Sequence, residues 1–131
     1  MRTIVRVVFI AALTFYLTGC YSIIKMPDIA TASVYGPQIS GGTLSPQEVA
    51  HLSSWMNAHD AGWRGLMEKH PAPMTMAVVM RDSDGRQITL NLFESQDETA
   101  TAYLYAPSSA QPLERYLSKA DVMALRAAIG K

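Results

Sequence analysis

The chain has 131 residues, of which 49% are hydrophobic and 17% are charged, and it contains one cysteine. This size and composition are typical of one small globular domain, whose modest core disfavours a large enclosed active site. The 11 Lys/Arg balance 11 Asp/Glu and form no basic patch. Such a balance argues against a nucleic-acid partner, because phosphate binding needs clustered Lys and Arg.

The first residues predict a signal peptide. Arg2 and Arg6 precede an uncharged run from Val7 to Tyr16. About ten apolar residues are too few to cross a hydrocarbon core of about 30 Å as a helix, but they suit the hydrophobic region of a signal peptide. We predict that residues 1–19 are this signal. Without them, nine Lys/Arg remain against eleven Asp/Glu, a formal charge of −2.

The signal ends in the stretch Leu17-Thr18-Gly19-Cys20. An aliphatic residue, two small residues and a cysteine resemble the lipobox of bacterial lipoproteins, and this resemblance covers only these residues and the segment before them. It implies that the Cys20 sulfur receives a diacylglycerol, that cleavage falls before Cys20, and that the new amino group is acylated. Several acyl chains anchor a protein stably where a single chain is marginal.

The resemblance also implies a location. The residue after the cysteine is Tyr21, not the Asp that retains many enterobacterial lipoproteins in the inner membrane. We therefore expect the protein on the periplasmic face of the outer membrane, with the lipid bilayer as a partner through acylated Cys20. The inner membrane is the alternative location. An ordinary N-terminal anchor with an incidental cysteine is the alternative to lipidation.

Residues 20–43 show no sustained periodicity and end in Gly41-Gly42. We predict that they form the lipidated cysteine and a tether that lifts the domain off the membrane. Residues 44–131 are then expected to fold without them as an α+β globular domain.

Two capping boxes predict two helices. Ser45 and Glu48 frame the start of the first, and Ser118 and Asp121 frame the start of the second. Apolar residues at helical spacing follow each box: Val49, Leu52, Trp55 and Met56, then Val122, Leu125 and Ile129. His51 and His59 are expected to be exposed on the first helix. Gly130 suits the end of the second.

Alternating apolar residues between the helices predict strands. Met74–Arg81 and Gln87–Leu92 alternate on either side of a turn at Asp82–Gly85, and Ala100–Ala106 and Leu113–Leu117 add a third and a fourth strand. A sheet with one apolar face and two amphipathic helices predicts a small two-layer α+β sandwich. We expect an antiparallel three- or four-stranded meander with the N-terminal and C-terminal helices on one face.

A metal hypothesis rests on His70, Met74 and Met76, because imidazole and thioether ligands favour Cu(I). The alternative is that the methionines fill the buried face of a core strand. No motif for catalysis, for a metal site or for a cofactor occurs, so we name no catalytic residue and expect no cofactor.

Tyr103, Tyr105, Arg115 and Tyr116 form the candidate binding surface, because Tyr and Arg are enriched where proteins bind partners. If the Tyr103 and Tyr105 row faces solvent, it suggests a surface for a protein or a glycan. If it faces the helices, the two tyrosines belong to the core.

The sequence favours a non-enzymatic binding or adaptor module that acts beside another envelope protein or the cell wall. One alternative is an inhibitor or immunity lipoprotein directed against a periplasmic enzyme. A small hydrolase or a Cu(I)-binding protein is the other.

Overall fold

A computed structural model describes residues 23–66, 73–107, 109 and 111–131. Within these ranges the chain forms, in order, β1 (Ile29–Tyr35), β2 (Gly42–Thr43), α1 (Pro46–Ala58), β3 (Arg64–Gly65), β4 (Met76–Asp82), β5 (Gln87–Glu94), β6 (Ala100–Tyr105), β7 (Leu113–Leu117) and α2 (Lys119–Ile129). The α+β class predicted from the sequence is confirmed. The predicted signal peptide, Cys20 and His70 lie outside the described residues.

The described residues form a sheet of seven strands in the order β2-β1-β4-β5-β6-β7-β3, and all neighbours are antiparallel. The prediction of a three- or four-stranded meander is therefore wrong. Strands β1 and β2 come from the segment assigned to the tether, and Val34 of β1 is 0% exposed. Small residues weaken the alternation of apolar and polar side chains along Ile29–Tyr35, so the sequence pattern gives little sign of β1. Strands of two residues, such as β2 and β3, are too short to show any period.

One face of the sheet forms the core together with both helices. Val34, Val78 and Leu90 lie in one cross-strand row, because Val78 pairs with each of the other two. All three are 0% exposed and belong to a single cluster with buried side chains of both helices. The other sheet residues of this cluster are Ala32, Met76, Met80, Ile88, Leu92, Ala100, Ala102, Leu104 and Leu117.

Both predicted capping boxes are present. In α1 the Ser45 hydroxyl accepts the Glu48 amide, and the Glu48 carboxylate accepts the Ser45 amide at 2.8 Å. Ser118 and Asp121 make the same two bonds at the start of α2. These bonds satisfy backbone donors that a helix start leaves unpaired, which sets where each helix begins. Gly130 ends α2 in the left-handed conformation, with φ of 70°.

The turn between β4 and β5 is organised by a buried carboxylate. Asp82 is 3% exposed and accepts the amides of Asp84 and Arg86 and the Arg86 guanidinium, at 2.8–3.0 Å. Burial raises the pKa of Asp82, but these bonds and the charge of Arg86 outweigh it and hold the pKa below its ordinary value. The side chain therefore closes a turn and is fully engaged there.

The chain ahead of β1 also packs on the domain. The Ile24 amide donates to the Asp60 carbonyl oxygen at 2.8 Å, just beyond the end of α1. Ile24, Met26 and Ile29 are partly buried against the core cluster. The segment expected to be a tether is thus attached to the domain from Ile24 onward.

Removing residues 1–43 should destroy cooperative folding, contrary to the expectation that 44–131 folds alone. The deletion removes β1 and β2, exposes one edge of β4 and leaves the space of Val34 empty. Burial of a valine stabilises by about 1.5–3 kcal/mol and a small domain has only about 5–15 kcal/mol in total. Urea unfolding followed by circular dichroism would measure this loss.

Residues 23–131 serve as the matched control, because they keep every described strand. We expect this fragment to unfold in one sharp transition. Equal midpoints for both fragments would contradict a structural role for β1.

Candidate functional site

The face of the sheet opposite the helices is the candidate binding surface. In the described part of the chain no helix packs on it. Alternation along the strands brings Arg81, Gln87, Thr89 and Asn91 to this face. Hydroxyl, amide and guanidinium groups therefore surround the aromatic residues that share the face.

The aromatic residues of this face differ in exposure. The Tyr103 and Phe93 rings lie 4.8 Å apart at an angle of 53°, and Tyr103 is only 5% exposed. Tyr105 is 43% exposed and Tyr116 is 66% exposed. Tyr103 thus packs within the face, whereas Tyr105 and Tyr116 present ring surface to solvent. Tyr35, on β1, is 54% exposed on the same face.

Tyr105 borders an open groove of about 280 Å³. Its ring stands at the end of β6, opposite Thr89 of β5. The groove is lined by Gln87, Thr89, Tyr105, Ala106, Pro107, Ser109, Gln111 and Pro112. The lining offers amides, hydroxyls and one phenol around an aromatic ring, a combination that hydrogen-bonds a neutral polar ligand or a peptide backbone.

Arg115 does not join the three tyrosines. It alternates with Glu114 and Tyr116 on β7, so its side chain leaves the sheet on the side of the helices. Its Nε donates to the Ala61 carbonyl oxygen at 2.7 Å. The guanidinium therefore fixes the loop after α1. On the open face of β7 the charged group is Glu114, which accepts from Arg64 at 3.0 Å.

The residues of the metal hypothesis are separated by burial. Met76 is 0% exposed in the core, whereas Met74 is 39% exposed just before β4. His70, the third member, lies outside the described residues. Among the residues that the structure describes, no group of three or more His, Cys, Asp or Glu side chains is placed to hold a metal ion. Met76 therefore packs as a core residue.

An unexpected cluster joins the two helices. His59 stacks on Trp55 with ring centroids 4.0 Å apart, and its Nε2 lies 3.0 Å from Asp121 Oδ1. The expectation that His59 is exposed is wrong, because its side chain is only 13% exposed. The Trp55 indole donates to the Asp121 carbonyl oxygen at 3.1 Å. Spacing along the first helix gave no signal for this contact, because Asp121 lies 62 residues further on.

Asp121 serves both the cluster and the cap of α2. One carboxylate oxygen faces His59 and the other accepts the Ser118 amide at 3.0 Å. Burial raises the pKa of Asp121, but the hydrogen bonds from His59 and Ser118 outweigh it, so the pKa lies below its ordinary value. The ionised carboxylate therefore stabilises the fold rather than offering a free base.

Neither helix in the described ranges is long and apolar enough to cross a bilayer. The chain matches no protein-family model, no curated protein and no solved structure.

Replacing Asp121 by Asn should lower the free energy of unfolding at pH 7 by about 1–2 kcal/mol, since it weakens a cap and a hydrogen bond to a charged group. A carboxyl with a depressed pKa in the folded state stabilises above its unfolded pKa of about 3.9, and this stability is lost as the pH falls through the folded value. The cost of Asp121→Asn should therefore shrink at pH 3. Urea unfolding at both pH values measures it.

Asp84→Asn is the matched control, because that carboxylate is 75% exposed in the β4–β5 turn. Its cost should stay below about 0.5 kcal/mol at both pH values. An Asp121→Asn cost that is the same at pH 3 and pH 7 would contradict a role for the carboxylate charge.

Proposed function

We propose that this protein is a bacterial lipoprotein whose domain is a non-enzymatic binding module. Acylated Cys20 would hold it in the outer membrane, with the domain facing the periplasm. Another envelope protein or the cell wall would be its partner. The lipobox resemblance of Leu17–Cys20 supports the anchor, and the open face of the sheet supports the binding role.

The observation that carries the binding role is the exposure of three tyrosines on one uncovered face. Tyr35, Tyr105 and Tyr116 are 54%, 43% and 66% exposed. A tyrosine offers apolar ring area and a polar tip, and it loses little conformational entropy when it is bound. Aromatic side chains of this kind are enriched at the centre of protein interfaces.

The groove beside Tyr105 favours binding over catalysis. Gln87, Thr89 and Ser109 contribute amide and hydroxyl groups that stay neutral at pH 7. Acid–base catalysis needs groups whose pKa lies near the working pH. The groove is open, so a partner surface or an extended chain fits it better than an enclosed substrate.

Replacing Cys20 by Ser should abolish acylation and release the protein from the membrane. The hydroxyl of serine does not take the place of the thiol that receives the diacylglycerol, and without acyl chains the domain has no lipid anchor. Membrane fractionation and intact mass spectrometry measure the two effects. Detergent-resistant membrane association of Cys20→Ser would contradict the lipid anchor.

The double variant Tyr105→Ser/Tyr116→Ser should lose a cross-linked partner that the parent protein captures from its own envelope. The parent is expected to yield one stoichiometric partner by mass spectrometry, and the variant at least tenfold less of it, since interface tyrosines often contribute more than about 2 kcal/mol. Met123→Ser is the matched control, because Met123 is 60% exposed on α2, away from the open face. Equal recovery from both variants would contradict docking through the tyrosines.

A further inference from the structure

The length of chain between Cys20 and the folded domain limits how far the domain stands from its anchor. Only residues 21–23 separate Cys20 from Ile24. Ile24 is fixed, since its amide donates to the Asp60 carbonyl oxygen at 2.8 Å and its side chain packs on the core cluster. A fully extended chain covers at most about 3.6 Å per residue, so Cys20 and Ile24 lie within about 14 Å of each other.

We propose that one end of the domain rests directly on the lipid bilayer. This end, here named the proximal end, comprises residues 23–27, the β4–β5 turn at 83–86 and Pro107. The inference rests on the proposed acylation of Cys20, which places that residue at the membrane surface. The chain has no spacer left to lift the domain, because the residues expected to be a tether form part of the fold.

The proximal end is one continuous surface. Ile29, the first residue of β1, pairs with Asp82, the last residue of β4. The segment before β1 therefore meets the β4–β5 turn. An open depression of about 310 Å³ lies between them, lined by Lys25, Met26, Pro27, Asp82, Arg86 and Pro107.

The chemistry of this surface fits the headgroup region of a bilayer. Ile23 is 77% exposed and immediately precedes the fixed residue, so its side chain is available for the apolar boundary below the headgroups. Lys25 is exposed beside it. Arg86 is paired with two carboxylates, Asp82 and Asp84, so the β4–β5 turn carries no excess positive charge. Contact is therefore enforced by the short attachment and not by attraction to anionic lipids.

Seating at the proximal end has a consequence for the groove beside Tyr105. Pro107 lines both that groove and the depression at the proximal end. Gln87 and Tyr105 stand where β5 begins and β6 ends, which is the same end of the sheet. The groove thus opens next to the bilayer. A partner that fills it has to reach the membrane surface.

Spin labels on introduced cysteines test whether the proximal end rests on the bilayer. The labels react only with the introduced residues, because Cys20 is the only natural cysteine in the sequence and its thiol is acylated in the proposed mature protein. Ser83→Cys places a label in the β4–β5 turn, and Gln96→Cys places one in the β5–β6 turn at the opposite end. The length of β5 separates them by about 25 Å. The acylated proteins are reconstituted in phosphatidylethanolamine vesicles that carry a nickel-chelating lipid. The quantity measured is the enhancement of the spin label's relaxation by the nickel at the membrane surface.

We expect at least a threefold larger enhancement at position 83 than at position 96, and the same ratio after addition of phosphatidylglycerol. Inserting ten Gly/Ser residues between Ser22 and Ile23 should reduce the ratio to about one. If the enhancement is equal at both positions in the acylated parent, or if the spacer has no effect, the proximal end does not rest on the bilayer. These outcomes would leave the proposed anchor in place. A mature protein whose mass shows no acyl chains would overturn the proposed anchor as well.

Discussion

The pairing of β1 with β4 is the constraint on which the rest of the molecule depends. It inserts a strand from the N-terminal segment between β2 and β4, and it aligns Val34 with Val78 and Leu90 in a fully buried row. Helix α1 packs against β1 and against α2. An amphipathic helix is stable only when its apolar side is covered, so the position of β1 also fixes that of α1. The same pairing fixes the direction from which the chain enters the domain.

The helices cover one face of the sheet and leave the other open. The helix-facing side uses aliphatic and methionine side chains, whereas the open side carries hydroxyl, amide and tyrosine groups. Such a division is typical of antiparallel sheets with one packed and one solvated face. The two-residue strands β2 and β3 end the sheet on either side. Short edge strands discourage edge-to-edge association, so the open face is the more suitable surface for a specific partner.

The proposed anchor and the proposed binding face are linked through the fold. The segment that leads from Cys20 packs on the core within a few residues, and the groove beside Tyr105 opens at the same end of the sheet. A domain of about 100 residues has a radius of gyration of about 13 Å. With the proposed anchor, its whole surface would lie within about 50 Å of the bilayer, and its partners would be molecules found in that layer.

Local chemistry made much of the fold predictable. The capping boxes at Ser45 and Ser118 act over three residues, so the sequence alone located both helix starts. The alternation in β4 and β5 and the turn at Asp82–Gly85 are equally local, and the two-residue period by itself assigns Thr89 and Asn91 to the polar face. The lipobox resemblance is likewise read from consecutive residues.

Tertiary structure decided what depends on contacts between distant segments. Strand β1 has a weak pattern of its own and is a strand because β4 pairs with it. The choice between a solvent-facing and a core position for Tyr103 and Tyr105 required knowing which side of the sheet the helices cover. Arg115 does not belong to the candidate surface, because it lies on the helix-facing side of β7 and binds the loop at Ala61 there. His59 and Asp121, 62 residues apart, meet only because the two helices pack together.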